Sequence, residues 1–269
     1  MTLSAANLRR VALALTALTS LLLLEPAVVQ AAGDSRATGD GAWAEVLQNR
    51  KVSRNREMNA HVERVSERIL RAADQDPDQW EFAVIEDESP NAFALPGGKI
   101  GVHTGLFKIV ETEDELAAVI GHEVAHLTQG HHRQRSNRDA LVQLGVGLLG
   151  MAFNLDQGTA QLAGNAAMLG LVLPYGRDQE SQADEVGLAY MARAGYNPQA
   201  AVDLWRKFED EGGAPPEFLA THPSSGRRAA TLAAMVPDYM DTYRAHARDN
   251  DRPQQIQQDE RPNWRLRRD

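Results

Sequence analysis

The sequence predicts an α+β fold, mainly helical with one small sheet, and three observations carry that prediction. Apolar residues recur at helical spacing over residues 54–73, 113–132 and 177–194. Short β-compatible runs lie between the first two of these, at 80–86, 91–95 and 99–103. A chain of 269 residues has room for one well-packed domain with appendages, and a single core is expected over residues 43–248.

Taken in order, residues 1–31 have the pattern of an export signal. Arg9 and Arg10 precede the apolar run 11–24, and Val29-Gln30-Ala31 suits cleavage before Ala32. As an uncleaved anchor the run falls short of the about 20 apolar residues a span needs, and Glu25-Pro26 interrupts it. Residues 32–42 are small, polar and glycine-rich, which predicts a flexible leader. Met58, Val62, Val65 and Ile69 form one buried stripe on the helix over 54–73. Pro96-Gly97-Gly98 is a strong turn signal between the strands at 91–95 and 99–103.

The helix over 113–132 carries Leu116, Val119, Ile120, Val124 and Leu127 at its period, with acidic residues in its first turn and basic ones after its last. Two apolar, glycine-broken stretches follow at 141–153 and 163–173, each too short to cross a bilayer. They read as core or cleft-covering helices, or else as a surface for peripheral membrane contact or unfolded outer-membrane clients. The helix over 177–194 stops at Gly195, and Asn197-Pro198 opens another at 199–208. Residues 249–269 are rich in Asp, Gln, Arg and Pro, so a disordered tail is expected.

Composition excludes some functions. With no cysteine, neither a disulfide nor an acylated lipoprotein cysteine is available, and a soluble periplasmic location is expected. The formal charge of −9 argues against a nucleic-acid partner, which needs clustered Lys and Arg.

The chemistry is concentrated in His122-Glu123-Val124-Ala125-His126, an H-E-x-x-H motif on a predicted helix. One helical turn separates the histidines, so both imidazoles project from one face and can reach a single tetrahedral zinc. Glu123 is placed to act as the general base toward water on that metal. A catalytic site needs a third protein ligand. His131 and His132 lie five and six residues past His126, off the ligand face, and are expected to meet the helix C-terminal dipole or solvent. Glu180 is better placed, with Asp184 one turn later to support a ligand histidine. Alone, that pair would read as a solvated acidic face; the upstream motif changes its meaning.

A series of motifs over residues 43–236 resembles metallopeptidase family forty-eight, the family of the CAAX prenyl proteases, HtpX and BepA. The series comprises N-A-F-A-L-P-G-G from Asn91, I-x-V-x-T-G-L from Ile100 and G-H-E-x-x-H from Gly121. It continues with R-x-x-E-x-x-A-D-x-x-G from Arg177 to Gly187, then A-R-A-G-Y-N-P and T-H-P-S. The resemblance implies a zincin-like domain whose small sheet edges the active-site cleft, and one Zn2+ per chain held by His122, His126 and Glu180. It implies Asp184 as the neighbour supporting the ligands, and Glu123, His222 and Arg228 as catalytic residues, the last two near the metal to steady the transition state or cap the resting ion. It also implies that Asn91, Ala92, Phe93, Ala94 and Leu95 pair with an extended substrate backbone. Multiple membrane spans and C-terminal helical repeats, found in some relatives, are not read in this chain. The expected function is a zinc metalloendopeptidase acting on exported, misfolded envelope polypeptides. The alternative is a zinc-stabilised periplasmic chaperone or assembly factor with little turnover.

Overall fold

The computed structural model of the chain describes residues 35–135, 175–210, 222, 228–247 and 254–256. The export signal and the two apolar stretches lie outside the described residues, and with them both the cleft-covering and the membrane-contact readings of those stretches. The chain divides into two compact units, and nearly all described residues belong to the one formed by residues 36–131 and 174–269. That unit is mainly helical with a three-stranded sheet, as the periodicities predict.

Helix α1 (Ser35–Asn49) comes first. It corrects the expectation of a flexible leader at 32–42 for residues 35–42, the rest lying outside the described residues, and tertiary docking explains the difference. Gly39 is buried, and a Cβ there would lie 1.7 Å from the carbonyl oxygen of Pro96. Trp43 is buried with its ring edge-on to Phe93, and its indole N–H donates to Glu81 at 2.9 Å. These contacts override the poor helix propensity of the glycines.

Helix α2 (Arg56–Ala72) is capped by Asn55, whose side chain accepts from the backbone N–H groups of Glu57 and Met58. Of its expected stripe, Val62, Val65 and Ile69 are buried, while Met58 is only partly buried against the core. The sheet has order β1-β3-β2, with β1 (Glu81–Ile85) parallel to β3 (Lys99–His103) and β2 (Ala92–Leu95) antiparallel to it. Gly97 and Gly98, with φ of 87° and 79°, make the turn that joins β2 to β3.

Helix α3 (Glu113–Thr128) starts at Thr112, whose hydroxyl accepts from the Glu115 N–H. It packs on α2, on β2 and on α4 (Arg177–Arg193), while α5 (Gln199–Asp210) and α6 (Arg228–His246) complete the helical layer. The core runs from Val65 and Ile69 through Ile100 and Val102 to Leu116, Ile120, Val124, Leu188 and Leu232. Among the described residues no helix is long and apolar enough to cross a membrane.

The expected disordered tail also needs correction at residues 254–256. Gln255 bridges to Thr112, the Ile256 N–H donates to the Glu111 carbonyl, and Ile256 is buried. One apolar side chain and main-chain pairing anchor a segment whose composition is otherwise that of a solvated tail.

Candidate metal centre

The centre forms where α3 crosses α4. At the crossing Gly121 faces Gly187, and a Cβ at Gly187 would meet the His122 backbone nitrogen at 3.2 Å. Two missing side chains thus let the backbones approach closely. From that point His122 and His126 project from α3, while Glu180 and Asp184 project from α4 two turns and one turn before Gly187.

The ligand atoms converge. His122 Nε2 lies 3.0 Å from His126 Nε2, and Glu180 oxygens lie 3.4 Å from each of those nitrogens. Atoms held about 2.0–2.2 Å from a tetrahedral ion are roughly 3.4 Å apart, so the spacing fits one zinc. His222 adds a fourth group, its Nδ1 3.1 Å from His122 Nε2 and 3.2 Å from Glu180 Oε1. These four buried side chains are the set among the described residues whose donor atoms suit a metal ion.

Around this set, Asp184 Oδ1 lies 3.0 Å from His122 Nδ1. The Arg228 guanidinium donates to Asp184 at 2.8 Å through Nε and to Glu180 at 2.9 Å through Nη1, with its face on the Trp205 ring. Arg228 is therefore committed to the two carboxylates of α4. Burial would push both carboxyls up, but imidazole hydrogen bonds hold Glu180, and the Arg228 charge holds Asp184, below the usual carboxylate range. Burial lowers His126 to about 3, which keeps its ring neutral.

Glu123 lies beside the cluster on the same helix. Burial acts to raise its carboxyl, yet the His222 charge beside it holds it at about 2; in return Glu123 lifts the buried His222 to about 9. Glu123 Oε1 is 3.0 Å from His222 Nε2 but has no aligned hydrogen-bond donor among the described residues. Its other oxygen accepts from the Ala94 N–H at 3.2 Å. The pairing of β2 explains that contact. The His103 N–H donates to the Asn91 carbonyl, so alternate residues Asn91, Phe93 and Leu95 turn their main chain toward β3. Ala92 and Ala94 turn theirs to the free edge, next to Glu123.

Sequence reasoning missed two residues here. Tyr175 stacks on the His126 ring with centroids 3.8 Å apart. His131, expected at solvent or the helix dipole, is fully buried with Nδ1 2.9 Å from His126 Nδ1. The signal for His131 was Gly130, whose φ of 69° ends the helix and turns the chain back.

An H-E-x-x-H helix crossed by a carboxylate-bearing helix, with a small sheet at its side, defines a zincin-like metallopeptidase domain. The chain belongs to peptidase family M48, whose model matches residues 53–236. It is 36% identical over 181 residues to a mitochondrial metalloendopeptidase OMA1 of Schizosaccharomyces pombe, covering 66% of this chain and 53% of that one. It is 32% identical over 185 residues to the beta-barrel assembly-enhancing protease of Escherichia coli, covering 64% and 38%. A putative protease of the same description in Vibrio cholerae is 31% identical over 197 residues, covering 69% and 40%. The chain thus spans about half or less of the length of these relatives.

Proposed function

We propose that the chain is a zinc metalloendopeptidase of exported, misfolded envelope proteins, with one zinc held by His122, His126 and Glu180. The reading rests on one observation: these three side chains, drawn from two helices, converge beside Glu123, the two imidazole Nε2 atoms 3.0 Å apart and each 3.4 Å from one of the two Glu180 oxygens. When bound there, zinc polarises the scissile carbonyl and lowers the pKa of its water to about 7.

The chain's own residues supply the rest. Glu123 takes a proton from the attacking water and returns it to the leaving amine. His222, next to both Glu123 and Glu180, steadies the developing oxyanion. Arg228 keeps Glu180 and Asp184 ionised and oriented, and Asp184 fixes His122 through Nδ1. Asn91, Ala92, Phe93, Ala94 and Leu95 form the substrate edge, where Ala92 and Ala94 offer main-chain groups to an extended peptide. A substrate carbonyl that takes the Ala94 N–H releases one oxygen of Glu123. Main-chain pairing tolerates many sequences, which suits unfolded polypeptides as substrates.

Two features support action in the periplasm after signal cleavage: the pattern of residues 1–31, and relatives described as beta-barrel assembly-enhancing proteases. The relatives described as mitochondrial set the compartment apart from the chemistry, which both groups' descriptions share as proteolysis.

The test compares wild type with Glu123→Gln on unfolded casein, with zinc measured in both. The variant should keep its zinc while cleavage falls about 100- to 10,000-fold. Equal, zinc-dependent protection of the client by both proteins, with no peptide products, would instead assign the chain to the chaperone or assembly-factor class.

A further inference from the structure

We propose that His131 is the positioning residue for His126: it accepts the Nδ1 proton of that imidazole and thereby keeps Nε2 free for the metal. The inference rests on the zinc-site reading above and concerns a residue that the motif series leaves without a role.

The observed contacts fix which nitrogen of each ring donates and which accepts. His126 Nδ1 and His131 Nδ1 are 2.9 Å apart in a fully buried setting, so one of the two must donate. His126 Nε2 points into the cluster, 3.0 Å from His122 Nε2 and 3.4 Å from Glu180 Oε1. To bind the proposed zinc, that nitrogen has to present a lone pair, so the proton of His126 sits on Nδ1 and is donated to His131. That leaves the His131 proton on Nε2, which lies 3.0 Å from Gln182 Oε1, an acceptor. The Gln182 amide in turn donates to Gln129 Oε1 at 3.2 Å. Every link then pairs a donor with an acceptor. The reverse polarity would put a proton on the cluster side of His126 and require both glutamine amides to flip.

The backbone makes the contact possible. Five residues along an uninterrupted helix, residue 131 would stand about 140° around the axis from residue 126. The left-handed turn at Gly130 brings the His131 ring back against His126 instead. Tyr175 stacks on the face of His126 while His131 holds its edge, so plane and tautomer are both set. The two ligand histidines are thus served differently. His122 Nδ1 meets the carboxylate of Asp184, and His126 Nδ1 meets a neutral ring that leans on Gln182, two residues before Asp184 on the same helix. Outer partners of this kind set ligand orientation and basicity in metal sites.

The experiment combines two readouts on the full-length protein. Zinc affinity is measured by chelator competition for wild type, His131→Leu and His131→Asn, the asparagine placing an oxygen acceptor near the position of Nδ1. The leucine variant should bind zinc about 10- to 100-fold more weakly, and the asparagine variant should recover most of that loss. Histidine 15N NMR of the wild type should find His126 protonated on Nδ1 and His131 on Nε2. The inference is overturned if His131→Leu binds zinc like the wild type, or if the spectrum puts the proton on His131 Nδ1. Should the leucine variant fail to fold, the wild-type spectrum decides. Should the wild type bind no zinc, the metal-site reading fails and this inference falls with it, whereas a zinc-loaded wild type with the proton on His131 Nδ1 overturns this inference alone.

Discussion

Asp114, in the first turn of α3, shows how burial sets the chemistry of a single residue. Desolvation pushes its carboxyl up to about 6 against the opposing effects of the Asn197 N–H, which it accepts at 2.8 Å, and the Arg68 charge. A folded-state value above the ordinary 3.8 means that the native chain holds this proton longer than the unfolded one. Stability therefore falls as pH rises from 3.8 to about 6 and stays reduced above it. Asp114→Asn keeps the acceptor and cannot ionise, so its melting temperature should gain on wild type more at about pH 7.5 than at about pH 4. An equal difference at both would contradict the assignment. At this scale the sequence was readable where helical period fixes the face of a side chain and a motif gives it meaning, as for His122 and His126, and through them Glu180 and Asp184. His131 escaped because its position depends on one left-handed glycine, and Tyr175 because it precedes its helix and makes its contact by tertiary packing.

Between elements, the decisive contact is the crossing of α3 and α4 at Gly121 and Gly187. A valine at position 187 forces its side chain against the His122 backbone, where even a lone Cβ would lie 3.2 Å from the nitrogen. Gly187→Val should therefore cost about 1–3 kcal/mol in chemical denaturation. It should also weaken zinc binding, because it pushes Glu180 away from the two histidines. Zinc affinity equal to wild type would show that the crossing does not set the ligand geometry. The elements themselves were legible for simple reasons: α2 has a strong apolar period, α3 an acidic first turn, both have capping residues, and β2 and β3 flank a Pro-Gly-Gly turn. Helix α1 was not, since Gly39 and Trp43 become helix residues only once the β2–β3 turn and Glu81 are there to pack against. The segment at 254–256 was missed for the same reason: Ile256 gains its stability from a site next to Thr112 that local composition does not reveal.

For the molecule as a whole, the residues of the candidate metal centre come from separate parts of the chain: two from α3, one from α4, and His222 from before α6. A bound ion would tie these parts together, so removing it should lower the melting temperature as well as abolish hydrolysis. The match to peptidase family M48 covers residues 53–236 and includes all of these residues. The most direct measurement is the zinc content of the purified protein beside that of Glu180→Ala. One zinc per chain is expected in the first and loss of most of it in the second. Full zinc occupancy in Glu180→Ala, with cleavage unchanged, would contradict this expectation.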